Sequence, residues 1–212
     1  MSQTDFAPDR RSLLALLAAC AFSTPALSEP LSPENAARLK AVNQYLTSLS
    51  QVKARFNQAD PQGGLSSGVV WLKRPGMARF QYDPPSGLLV VCDGKRVSVW
   101  DKRLGSFDSY PLGYTPLGLL LAREVKLSKG VEITDLAETG RGFHLTARDS
   151  AHRAAGSITL LFNESPLALT GWMVTDAHGA RTQVALGVLE PAPDVDPDLF
   201  VLHDPRRRPE AQ

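Results

Sequence analysis

From Val52 onward the hydrophobic period of this sequence shifts from that of a helix to two, and it stays near two almost to its last residues. Successive side chains on a pleated strand point to opposite faces, so a period of two marks segments with one buried and one exposed side. Eleven such segments follow one another: 52–58, 67–73, 77–82, 88–92, 96–101, 106–110, 131–136, 142–147, 157–162, 167–175 and 181–189. Turn chemistry separates them at Pro75-Gly76, Asp93-Gly94, Leu104-Gly105, Gly140-Arg141, Asn163 to Pro166 and His178-Gly179. Tight reversals of this kind join antiparallel neighbours. With no long helix between strands, the expectation is a mainly β fold: one large antiparallel sheet of about eleven strands, curled or closed, with helices against its concave face.

Two helices accompany the strands. Ser32-Pro33-Glu34 opens the first, with Ser32 to cap, Pro33 suited to the first turn and Glu34 opposing the dipole. Leu39, Val42, Leu46 and Leu49, with Tyr45 beside them, form an apolar stripe that must lie on something apolar. The second is "YTPLGLLLAR", with Thr115 as cap, Pro116 at the first helical position and Leu117, Leu119, Leu120 and Leu121 in a block. Gly118 weakens it by about 1 kcal/mol relative to Ala. A short, weak, leucine-loaded helix fits a movable apolar cover, and it fits a core plug equally well.

With 43% apolar residues in 212, the chain can bury one substantial core, so a single domain is expected. Basic and acidic residues number 23 and 22, a net charge of +1, so no chain-wide field favours nucleic acid. Residues 1–28 read as an export leader: Arg10-Arg11, an apolar run from Leu13 to Phe22, Pro25 as breaker, and a small-residue site ending at Ser28. That run is roughly half of what a membrane-spanning helix needs. Arg10-Arg11-Ser12-Leu13-Leu14 fits a twin-arginine leader and a general secretion leader alike. "LAAC" resembles a lipoprotein processing site that would anchor the chain through Cys20, but it leaves only a short apolar run before the cysteine, so cleavage after Ser28 is preferred. Cys92 is then the one cysteine of the mature chain, read as a small buried apolar residue. Residues 29–205 form the domain and 206–212 a basic polar tail, with Arg206, Arg207 and Arg208 read as solvated.

Residues with catalytic chemistry are scattered. His144, His152, His178 and His203 lie in different strands or turns without metal-ligand spacing, and there is no CxxC, P-loop or GxSxG elbow. Asp93 and Asp101 sit where turn acids sit. The expectation is a binding protein, with no catalytic residue, no metal and no cofactor.

Several stretches together carry a resemblance: "GVVWLKRPGMARFQYDPP", "LLVVCDGKRVSVWDKRLGSFDSY" and "TPLGLLLAR", behind a leader and an amphipathic helix. Trp71-x-x-Arg74-Pro75, Arg79-Phe80-x-Tyr82, Asp93-Gly94 and Thr115-Pro116 are the most specific parts. In these the chain resembles the periplasmic outer-membrane lipoprotein carrier family, LolA, from about Pro33 to Phe200. The resemblance implies an incomplete β-barrel whose helices cover an apolar cavity for lipoprotein acyl chains. It implies cargo received from an inner-membrane ATP-driven transporter and passed to an outer-membrane receptor, by a monomer with no cofactor. It places the family's latch arginine on Arg74, which would hold the cover closed through hydrogen bonds to lid backbone. Lys73 and Arg79 are left facing solvent by alternation.

The same alternation nominates cavity walls: Phe56, Trp71, Phe80, Tyr82, Val91 and Val99 from strands, and Leu39, Leu46, Leu117 and Leu120 from helices. Ordinary core packing would use the same letters. The alternative functions are a lipid-anchored or soluble envelope lipid-binding or sensor protein of the same fold, and, further off, a hydrolase.

Overall fold

The computed structural model describes residues 32–122, 130–151 and 156–206. The leader, with Cys20 and the junction after Ser28, lies outside them, as do Arg123, His152, Arg207 and Arg208. Helix α1 (Pro33–Ser48) starts at the expected proline. Six strands follow in sequence: β1 (Gln51–Ala59), β2 (Leu65–Lys73), β3 (Met77–Tyr82), β4 (Leu88–Asp93), β5 (Arg96–Asp101) and β6 (Ser106–Pro111). A 3-10 turn (Leu112–Tyr114) and helix α2 (Leu117–Leu121) then interrupt the strands. The series resumes with β7 (Val131–Thr139), β8 (Gly142–Asp149), β9 (Ser157–Glu164), β10 (Leu167–Thr175), β11 (Arg181–Leu186) and β12 (Glu190–Pro191), and a second 3-10 turn (Pro197–Phe200) comes after them.

All twelve strands belong to one sheet, in the order β6-β5-β4-β3-β2-β1-β11-β10-β9-β8-β7, with β12 pairing β1. Successive hairpins build each half outward, and β11 returns to the free edge of β1. The sheet ends at β6 and β7 and is not closed. β12 escaped the sequence pattern because two residues are too few to alternate. It shares one edge of β1 with β11: β11 takes Phe56–Ala59, β12 takes Val52 and Lys53, and between them Gly187 N–H donates to Arg55 O at 2.9 Å.

Register decides which side chains face inward. Opposite residues in an antiparallel ladder share a face. One inward row therefore runs Ala54, Val70, Phe80, Val90 and Val99 across β1 to β5. The row beside it pairs Phe56 with Gly68 and Gly68 with Tyr82. A Cβ on Gly68 would lie 2.8 Å from Phe56 Cε1, so the glycine makes room for that ring. In the other half, Leu145, Leu160, Trp172 and Val184 form an inward row across β8, β9, β10 and β11. Phe80 and Trp172 join the halves edge to face, with ring centroids 6.0 Å apart.

Helix α1 lays Leu39, Val42 and Leu46 on this surface, all buried. Its Tyr45 hydroxyl accepts the Leu169 N–H at 3.0 Å, where β10 slips register between Leu169 and Gly171. The bulge frees a backbone donor and the phenol satisfies it. Arg38 ties the other end of α1 to β7 and β9, bonding Glu138 at 2.6 Å and Glu164 at 3.1 Å.

Two nominated wall residues are on the wrong face. Trp71 stands opposite Lys53 and Arg79, and Val91 opposite Arg79 and Ser98, which places both on the outer face. Val91 is nonetheless buried, because the turn Pro197–Phe200 packs over β3 and β4 with Phe200 only 2% exposed. The run Val69-Val70-Trp71-Leu72 is apolar on both faces, so alternation alone could not orient it. Arg79 is likewise on the outer face but not in solvent, since its Nη1 donates to Leu199 O at 3.0 Å.

Candidate functional site: the covered concave face and the Arg74 bridge

Of the remaining nominated residues, Leu39, Leu46, Phe56, Phe80 and Leu120 are buried in the core beneath the two helices. Tyr82, Val99 and Leu117 are half-buried and pack against it. The sequence reading chose no wall residue from β7 to β11, although Leu145, Leu160, Phe162 and Trp172 supply half of the inward surface. The same alternation would have found them.

In this closed arrangement the concavity is occupied. Leu46 from α1 and Leu120 and Leu121 from α2 are 0, 1 and 0% exposed, so the helices' own side chains fill the space expected to be open. Open clefts lie at the rim: one of about 290 Å³ beside the start of α2, lined by Lys95, Leu112, Thr115 and Leu119, and one of about 390 Å³ lined by Gln58, Tyr82, Leu88 and Arg103.

The tip of the β2–β3 hairpin meets the ends of both helices. Gly76, at φ 85°, supplies the left-handed turn that a side chain would strain, and its N–H donates to Leu121 O at 2.8 Å. Arg74 N–H donates to Ser50 O at 2.8 Å. The Arg74 guanidinium then bridges the two covers, Nη1 donating to Leu46 O and Nη2 to Ala122 O. The last carbonyls of a helix have no partner within it, and a cation near that end also meets the negative pole of the dipole. One rigid fork of donors satisfies both helices.

This bridge is finely balanced. Among the described residues no carboxylate forms an ion pair with Arg74, and its Nε is buried without a partner. Burial pushes its pKa down to about 10. Among the described residues its charge is met by two neutral carbonyls, so the cost of desolvating it offsets part of what the bonds contribute.

Thr115 does not cap α2 as expected. Its hydroxyl donates back to Leu112 O at 2.8 Å, closing the 3-10 turn, and Pro116 stands at the helix boundary. Gly118 fits because a Cβ there would come within 2.7 Å of the same Leu112 carbonyl.

The titratable groups of the interior are quiet ones. Burial, aided by the charge of Asp93, pushes the Cys92 thiol up to about 12. Burial likewise raises Tyr82 to about 12, and its hydroxyl donates to Gln58 Oε1 at 2.7 Å. Asp93 and Asp101 accept turn N–H groups from Lys95, Arg96, Arg103 and Leu104, the role expected of them. His144 lies on the outer face and contacts Asp135 at 2.6 Å.

Comparison with known proteins identifies the family. Residues 47–203 match the family described as outer membrane lipoprotein carrier protein LolA. A curated relative from Pseudomonas syringae, named outer-membrane lipoprotein carrier protein, is 31% identical over 182 residues, covering 81% of this chain and 85% of its own. One of the same name from Chromohalobacter salexigens is 29% identical over 180 residues, covering 80% and 83%. A solved LolA superfamily protein from Nitrosomonas europaea aligns with 77% of this chain and 97% of its own at 13% identity and a TM-score of 0.41, too loose a fit to transfer any residue. The length of the sequence match establishes that this chain belongs to the LolA family of outer membrane lipoprotein carrier proteins.

Proposed function

We propose that this protein binds the acyl chains of lipoproteins beneath α1 and α2 and carries them through the periplasm from the inner to the outer membrane. The observation that carries this reading is the Arg74 bridge, one side chain tying two helices together over an apolar concave face. Each acyl methylene left in water costs about 0.8 kcal/mol, so a diffusing carrier must enclose its cargo. It must also release it. A closed empty form of finite stability sets the balance: cargo has to break the latch to enter, and closure favours its departure. The relatives named as carriers support the cargo class. In this reading an inner-membrane ATP-driven transporter loads the protein and an outer-membrane receptor unloads it. The protein acts as a monomer, without catalysis, after cleavage of its leader following Ser28.

The test is mass spectrometry of what stays bound to protein purified from its own envelope. Acylated protein fragments are expected. Free lipid alone would favour a lipid-binding or sensing role, and turnover without a retained ligand would favour a hydrolase. The mature mass separates cleavage after Ser28 from a lipid anchor on Cys20.

A further inference from the structure

The Arg74 hairpin has two faces, and both are held. On the inner side its tip bonds the helices. On the outer side, residues 197–206 lie across the sheet. Arg79 of β3 donates to Leu199 O at 3.0 Å, and the Lys73 ammonium sits 6.0 Å from the centroid of the buried Phe200 ring. Further along, Arg206 Nη2 reaches Phe107 O of β6 at 3.4 Å. Two of the strand residues engaged by this segment flank the tip: Lys73 precedes Arg74, and Arg79 is three residues beyond Gly76.

We infer that residues 197–206 form an outer strap that positions the Arg74 latch, with Arg79 and Phe200 as the positioning residues. The inference rests on the latch reading above. The turn 74–76 sits where both flanking ladders end, at Lys73 opposite Gln51 and Met77 opposite Asp93, so its aim follows the ends of β2 and β3 that the segment holds, and the bonds of Arg74 need both helix carbonyls within reach at once. Arg79 is poorly suited to a merely solvated role: burial lowers its pKa, and its Nε is buried without a partner. Its other bond is to Gln81 Oε1 at 3.3 Å on its own strand, so the bond to Leu199 O is what joins this partly desolvated guanidinium to the strap. Arg79 touches no cargo surface, since it faces away from the concave side.

Amide hydrogen exchange on the full mature protein, without cargo, tests this. The Gly76 amide reports the latch and the Leu72 amide reports the ladder behind it. In Arg79→Leu and in Phe200→Ala, Gly76 exchange is expected to speed at least tenfold while Leu72 and the amides of β8 and β9 stay within about twofold, and Arg79→Lys should recover part of the protection. Unchanged Gly76 exchange in both variants would overturn the proposal, as would an equal acceleration of all amides, which means general destabilisation. If Gly76 exchange speeds selectively but cargo release from the variants matches wild type, the strap does position the hairpin and it is the latch reading that fails.

Discussion

Replacing Arg74 by leucine should make the protein hold cargo longer. In the closed form the guanidinium carries a desolvation cost: its pKa falls from 12.5 to about 10, equivalent to about 2–3 kcal/mol after allowing for screening at the partly open rim. Against this stand two hydrogen bonds from a charged donor, to Leu46 O and Ala122 O, each worth about 1.5–3 kcal/mol. The bridge therefore nets between zero and about 4 kcal/mol in favour of closure. Leucine removes the cost and the bonds together but strands two carbonyls, each about 1–3 kcal/mol worse if they stay dry. Even with water reaching both carbonyls, closure should weaken by the bridge's own net, about 2 kcal/mol at mid-range, raising the open population roughly 30-fold. The assay follows release of a fluorescent triacylated peptide from protein into acceptor vesicles. Loading should be at least as complete as wild type, and release slower by one order of magnitude or more. Arg74→Lys, whose point charge cannot fork across both carbonyls, should fall between. Release from the leucine variant at the wild-type rate would refute the latch.

Two other outcomes bear on the fold that supports the latch. Gly68→Ala places a Cβ 2.2 Å from Gln81 O and 2.8 Å from Phe56 Cε1, so the urea midpoint should fall by the equivalent of about 1–3 kcal/mol, where an ordinary exposed strand glycine would gain from the change. Cys92 should resist a maleimide in the native protein at pH 8 and react only on unfolding. Because folding raises its pKa from 9.0 to about 12, the thiol's contribution to stability is complete below pH 9 and is lost as the pH rises toward 12. Cys92→Ala should flatten that alkaline decline, as read by denaturant titrations between pH 8 and 11.

Most of the strand framework was legible because alternation and turn residues are local signals. β3, β5 and β10 run as the pattern indicated, and His144 faces away from the core between Phe143 and Leu145 as alternation required. What remained hidden was tertiary. Trp71 and Val91 look inward on paper because nothing local announces that Pro197–Phe200, about a hundred residues later, will cover the other side. Arg79 looked solvated for the same reason. The hydroxyl of Tyr45 gave no hint that it would serve a bulge in β10, because that bulge arises from pairing. Arg74 was found only through its resemblance to a family motif. Alternation cannot predict an arginine whose partners are two carbonyls on different helices.

The pairing of β1 has a consequence for how the interior can change its volume. On the β11 side the ladder holds only Phe56–Ala59 against Gln183–Leu186, the shortest junction along the strand path, while β12 clips the other end of that edge with two residues. The sheet is thus a pair of wings, β2 to β6 and β7 to β11, sharing a narrow spine at β1. Wings on a narrow spine can splay by small twists, so the concave chamber can enlarge by breathing sideways, with every helix still intact.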